Sequence, residues 1–295
     1  METYGVAALF AILVWWWSTG AILWLVSLPR RYHPTLFVGA TLLLPMAVWG
    51  VVTSGANANM FGAYLGFAAA IGVWAWHELA FLLGYITGPN TEHCPEGASG
   101  WRRFSAATRT VIYHEVALAL TVVALLWLLW DSPNQVAAWT FMVLWVMRLS
   151  AKLNVYLGVP NMAEEFLQPH LAYMSSYFRK RPVTPLFSIV VTAATAVTVL
   201  VVLRMIDSAT PVWETAALGL AGTLLLLAII EHWFLVLPVR EAVLWRWAQR
   251  KSDSPPAPAA PPKTRSASEC EVSVNGLPPG SPPTALLRPT ASTAG

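Results

Sequence analysis

Seven stretches are apolar for long enough to cross about 30 Å of hydrocarbon at about 1.5 Å per residue. They are 5–28, 35–54, 60–87, 106–130, 134–157, 184–206 and 212–238. Short polar turns separate most of them. The pattern predicts an all-α, polytopic transmembrane helix bundle of about seven spans, occupying residues 1–248. From 249 to 295 the chain turns Pro, Ala and Ser rich, as in SPPAPAAPPKTRSAS. Such a segment has too few large apolar residues to fold alone and is expected to be a disordered cytoplasmic tail.

Orientation follows from the basic residues. Arg30 and Arg31, Arg102 and Arg103, Arg179 to Arg181, and Arg240, Arg246, Arg250 and Lys251 all fall on one side, while the other side holds only Arg204. The positive-inside rule then predicts a periplasmic N-terminus and a cytoplasmic C-terminus. Met1 and Glu2 run directly into apolar sequence without a basic region or cleavage site, so the first stretch is expected to be a retained helix.

Composition agrees with a membrane protein: 56% of the 295 residues are apolar and only 11% are charged. The net charge of +3 reports loop topology. No dense basic block interleaves with aromatics, which argues against nucleic-acid binding. Cys94 and Cys270 both fall in predicted cytoplasmic segments, where thiols stay reduced. His93 beside Cys94 lacks metal-ligand spacing and reads as a solvated loop.

Four of the apolar stretches carry ionisable residues: His77 and Glu78, His114 and Glu115, Arg148 and Lys152, and Glu231 and His232. An unpaired charge in hydrocarbon costs at least about 3 kcal/mol. These residues are therefore expected to meet in one buried layer, roughly 9 to 15 Å inside the cytoplasmic boundary. Each His and Glu pair is adjacent in sequence, hence about 100° apart around its helix, and both members cannot aim at one centre. That spacing argues against a di-iron carboxylate site. The histidines could be axial ligands of a chlorin magnesium, the layer could hold a redox metal, it could relay protons or ions in a transporter, or it could simply hold helices together. No phosphate loop, zincin motif or nucleophile elbow marks an enzyme.

Phe141–Phe178, which carries both buried cations and a polar exit, is expected to be the organising stretch. Beyond the fifth span, Asn161 and Glu164 have the spacing of a helix N-cap with a reciprocal acid. Residues 160–181 are expected to form an amphipathic cytoplasmic segment. Met162, Phe166, Leu171, Met174, Tyr177 and Phe178 would lie on membrane lipid or a partner protein, flanked by Arg179, Lys180 and Arg181. Asn161, Glu164, Glu165, Phe166, His170 and Tyr177 are the candidate partner-binding residues. In the first span Trp15, Trp16 and Trp17 point in three directions, so part of the triplet must meet protein or a ligand.

The blocks WWWSTGAILWL, WAWHELAFLLGYITGP, GWRRF, YHEVALA, the long run from PNQVAAWTF to YMSSYF, and EHWFLVLPVREAVLWRW resemble the PuhE family, photosynthetic complex assembly protein 2. The resemblance spans roughly residues 5–248. It implies a multi-pass protein of the bacterial inner, photosynthetic intracytoplasmic membrane. It also implies a non-enzymatic factor in assembly of the reaction centre and light-harvesting complex that influences bacteriochlorophyll supply. Implied partners are reaction-centre subunits, other assembly factors and bacteriochlorophyll-synthesis enzymes. In that context His77, His114 and His232 become candidate ligands of bacteriochlorophyll or a precursor, with Arg148 and Lys152 holding Glu115 and Glu231 or a pigment carbonyl. A membrane enzyme of pigment synthesis with a metal in the layer is the alternative, and a small-molecule or proton transporter is the second.

Overall fold

The computed structural model describes residues 2–161, 167–238 and 241–248. They form seven long helices: α1 (Glu2–Val26), α2 (His33–Gly55), α3 (Met60–Leu82), α4 (Gly100–Leu128), α5 (Val136–Leu157), α6 (Pro185–Ile206) and α7 (Val212–Phe234). All seven are long and apolar enough to cross a membrane. Among the described residues there is no strand, only an isolated parallel bridge between Val159 and Lys180. The helix at Asn161–Glu164 and the tail fall largely or wholly outside the described residues.

α3 is the centre of the bundle. Two thirds of its apolar window is buried, against about a tenth in α2 and α6, and it touches α1, α2, α4, α5 and α7. Its sequence explains this position. The run Gly62, Ala63, Gly66, Ala69 and Ala70 is small enough for neighbouring backbones to approach closely, the usual basis of helix association in lipid. A Cβ on Gly66 would lie 3.0 Å from Ser54 Oγ on α2. The organising role expected of the Phe141–Phe178 stretch is thus divided: α3 is the packing centre, and α5 supplies the cations.

α1 runs parallel to α7, with Gly219 against Tyr4 and Ala7 and Trp15 against Glu231. α7 stops short of the end of α1, and the 3₁₀ segment Glu241–Trp245 with Trp247 fills that place. Trp245 Nε1 donates to Trp16 O at 3.2 Å, and Trp16 Nε1 donates to Leu244 O at 3.2 Å. The Trp247 ring occupies the space that a Cβ on Gly20 would need.

At the end where α2 meets α3, Asn134 is a buried staple. Its Nδ2 donates to Asn57 O at 3.0 Å and its Oδ1 accepts from Val136 N–H, joining two turns that would otherwise bury unsatisfied backbone. At the opposite, basic end, α3 stops at Leu82 rather than near 87. Residues 83–90 turn back along α4: Thr87 O accepts from the N–H groups of Tyr113 and His114.

The segment expected to lie on lipid or a partner protein is folded inward. Pro169–Tyr177 is a 3₁₀ run, and Leu171, Tyr173 and Met174 pack with Phe81 in a buried cluster. These apolar residues cover the ends of α3 and α4 because those ends would otherwise expose Phe81 and Val111. Replacing Gly66 by Leu should overpack the α2–α3 contact at a cost of about 1–3 kcal/mol. The thermal midpoint in detergent should fall, whereas Gly39→Leu, on a face with nothing within 4 Å, should leave it unchanged.

Candidate functional site: a charged cavity at the basic end

α5 presents Arg148 and Lys152 one turn apart, and each finds a carboxylate. Lys152 Nζ lies 2.6 Å from Glu115 Oε1, and the other oxygen of Glu115 accepts from Trp145 Nε1 at 3.3 Å. Arg148 Nε stands 3.7 Å from Glu78 Oε1. Lys152 also sits 5.3 Å from the centre of the Phe81 ring. Glu231 accepts from Trp15 Nε1 at 3.2 Å, with Arg148 in electrostatic reach. The two cations were expected to hold Glu115 and Glu231; the close carboxylate of Lys152 is Glu115 and that of Arg148 is Glu78.

All five charged side chains line one cavity of about 560 Å³. Its walls come from α1, α3, α4, α5 and α7 and are mostly apolar and aromatic, with Trp15, Trp74, Phe81, Phe104, Tyr156 and Trp245 among them. The Arg148 side chain is half exposed, and it lines this space. Leu167, Met174, Tyr177 and Phe178 line it from the folded-in segment. That segment is clamped by Arg103, whose buried guanidinium donates to Tyr177 O and lies 4.2 Å over the Tyr156 ring. In the sequence Arg103 reads as a loop charge reporting topology; in the fold it is a buried clip.

Among the described residues that line the cavity, none is a histidine. The glutamate of each adjacent pair faces the cavity, so its histidine is turned about 100° away into a helix contact. His232 has both ring nitrogens engaged, Nε2 with Ser150 Oγ and Nδ1 with Ala228 O, each at 2.8 Å. His77 Nε2 meets Thr121 Oγ1 at 2.9 Å. The Thr121 hydroxyl already donates to Ala117 O, so His77 is the donor and its Nδ1 is left bare. His114 is fully buried, has no hydrogen bond on either nitrogen, and lies 4.6 Å from the Phe81 ring. Among the described residues no three His, Cys, Asp or Glu side chains gather as a metal-holding group.

Of the residues expected to bind a partner, Glu164, Glu165 and Phe166 lie outside the described residues. Asn161 Nδ2 donates to Phe234 O and Leu237 O, tying the chain after α5 to the end of α7. Tyr177 is only 3% exposed. Its hydroxyl donates to Glu92 O and accepts from Asn90, so it is an internal strut. His170 sits against Gly84, whose φ of +85° suits glycine. Burial and the nearby Arg30 hold its imidazole below the ordinary range, so it is neutral at pH 7.

The sequence reading missed Trp15, Trp145, Ser150 and Thr121 as partners of the buried groups. The Trp15–Trp17 triplet was the one available signal, since three consecutive indoles cannot all face lipid.

Fold and site define a class: a seven-helix membrane protein with a charged, aromatic-walled cavity at one end. The chain belongs to the family described as "Protein of unknown function (DUF3623)", whose model matches residues 1–256. It is 37% identical over 268 residues to a protein of Rhodobacter capsulatus named "Uncharacterized 30.4 kDa protein in puhA 5'region", covering 89% of this chain and 97% of that one. No solved structure matches.

Lys152→Met should strand the Glu115 carboxylate and destabilise the fold by roughly 3 kcal/mol. The double variant Lys152→Met with Glu115→Leu should recover most of that loss, as measured by thermal unfolding in one detergent.

Proposed function

We propose that this protein is a non-enzymatic assembly factor of the photosynthetic apparatus that holds a chlorin-type pigment, or a precursor of one, in the charged cavity. The observation that carries the reading is the cavity itself. At about 560 Å³ it falls in the range of about 300–1,000 Å³ for small-molecule sites. It is well above the roughly 150 Å³ that a deleted core side chain leaves. Aromatic walls suit a flat apolar ring, and the Lys152–Glu115 and Arg148–Glu78 pairs suit the polar edge of the same molecule. The R. capsulatus relative named for the puhA 5′ region supports a photosynthetic setting.

In this reading the protein lies in the bacterial inner membrane with its N-terminus periplasmic and its basic end cytoplasmic. Exposed Arg30, Arg31 and Arg102, with Arg181, would face anionic head groups or the reaction-centre subunits and assembly factors that receive the ligand. Asn161, Glu164, Glu165, Phe166 and His170 are the proposed partner contacts, and 249–295 the proposed cytoplasmic tail.

The test is an absorption spectrum of the tagged protein, purified in mild detergent from phototrophically grown cells. Near-infrared or Soret bands at about one pigment per chain are expected. Ala151→Phe, which fills the cavity from α5, should remove them and lower photocomplex yield while the protein stays inserted at normal level. A colourless wild-type protein would contradict the reading.

A further inference from the structure

The five cavity charges are not equivalent. Glu115 is held by Lys152 and Trp145, and Glu78 faces Arg148 at 3.7 Å. Among the described residues Glu231 has no cation within ion-pair distance. Its close contact is the Trp15 indole N–H, on Oε1. Trp15 is itself fixed, packing edge-on against Trp245 with ring centroids 5.3 Å apart. One carboxylate oxygen is therefore oriented by a neutral donor, on a cavity wall shared with both indoles.

We infer that Glu231 is the residue through which the cavity selects its ligand, and that it selects a metallated macrocycle: an apolar, planar ring carrying a hard divalent cation, in preference to the metal-free ring. This rests on the pigment-holding reading above and names the residue that reads the ligand. A divalent cation in a dianionic ring is neutral overall, so it enters an apolar cavity without an ion's desolvation cost. Its open axial position still takes a hard oxygen donor, and carboxylate is the donor a magnesium-type centre prefers. The Trp15 N–H orients that carboxylate as an outer-shell partner does in protein metal sites. The histidines that would otherwise be the natural axial ligands do not line the cavity, and His232 is bonded on both nitrogens.

The test is a fluorescence titration of the purified full-length protein in detergent with a magnesium tetrapyrrole and with the same ring lacking metal. Quenching of the cavity tryptophans is the readout. Wild type should bind the magnesium form at least about tenfold more tightly, a difference of about 1.4 kcal/mol. Glu231→Gln should bring the two affinities to parity while leaving that for the metal-free ring unchanged, which also shows that the variant is folded. Trp15→Phe, which keeps an aromatic ring and removes the N–H, should reduce the preference partway. Equal binding of both forms by wild type, or a preference that survives Glu231→Gln, would overturn the Glu231 assignment alone. Failure of wild type to bind either form would overturn the pigment-holding reading, and this inference with it.

Discussion

The structure depends on how ionised groups are held inside membrane-spanning helices. An isolated charge there costs at least about 3 kcal/mol, so Arg148 and Lys152 on α5 cannot face lipid alone. They draw Glu78 of α3 and Glu115 of α4 toward one side of α5. The Arg148 and Glu78 atoms stand too far apart for a hydrogen bond. Side chains that stay polar and partly separated leave room between the helices, and that room is the cavity. A core of leucines at the same positions would have no reason to stay open.

The rest of the fold walls this space and leaves it partly open. α2 and α6 lie outside, with about a tenth of their apolar windows buried, and present their faces to the membrane. At the basic end two chain segments form a roof, Pro169–Tyr177 clipped by Arg103 and Glu241–Trp245 pinned to α1 by paired indole hydrogen bonds. Each joins elements distant in sequence, so the roof reports on the whole bundle. It also places Trp245 against Trp15, and through Trp15 it orients Glu231.

Much of this was legible in the sequence, and what was not has a physical reason. The seven apolar runs gave seven helices, because spanning length is set by hydrocarbon thickness. The buried Glu and Lys positions were found because charge in an apolar run is rare. The 100° offset between adjacent residues was also in hand, but which member of each pair faced inward was not. Helix rotation is fixed by tertiary contacts such as Gly66 against Ser54, which periodicity does not encode. The inward fold of Leu171, Met174 and Tyr177 was read as a surface for lipid or a partner protein for a similar reason. An amphipathic face looks the same in sequence whether protein or lipid covers it. Arg103 looked like a loop charge because nothing local marks a guanidinium as buried.

The central claim is that the charged cavity holds a ligand in the cell. Native mass spectrometry of the protein, extracted in mild detergent from phototrophically grown cells, tests it most directly. We expect a mass excess equal to about one small molecule per chain, retained through gentle activation and absent from Ala151→Phe. A wild-type chain with no mass beyond its own sequence and exchangeable lipid would contradict the claim.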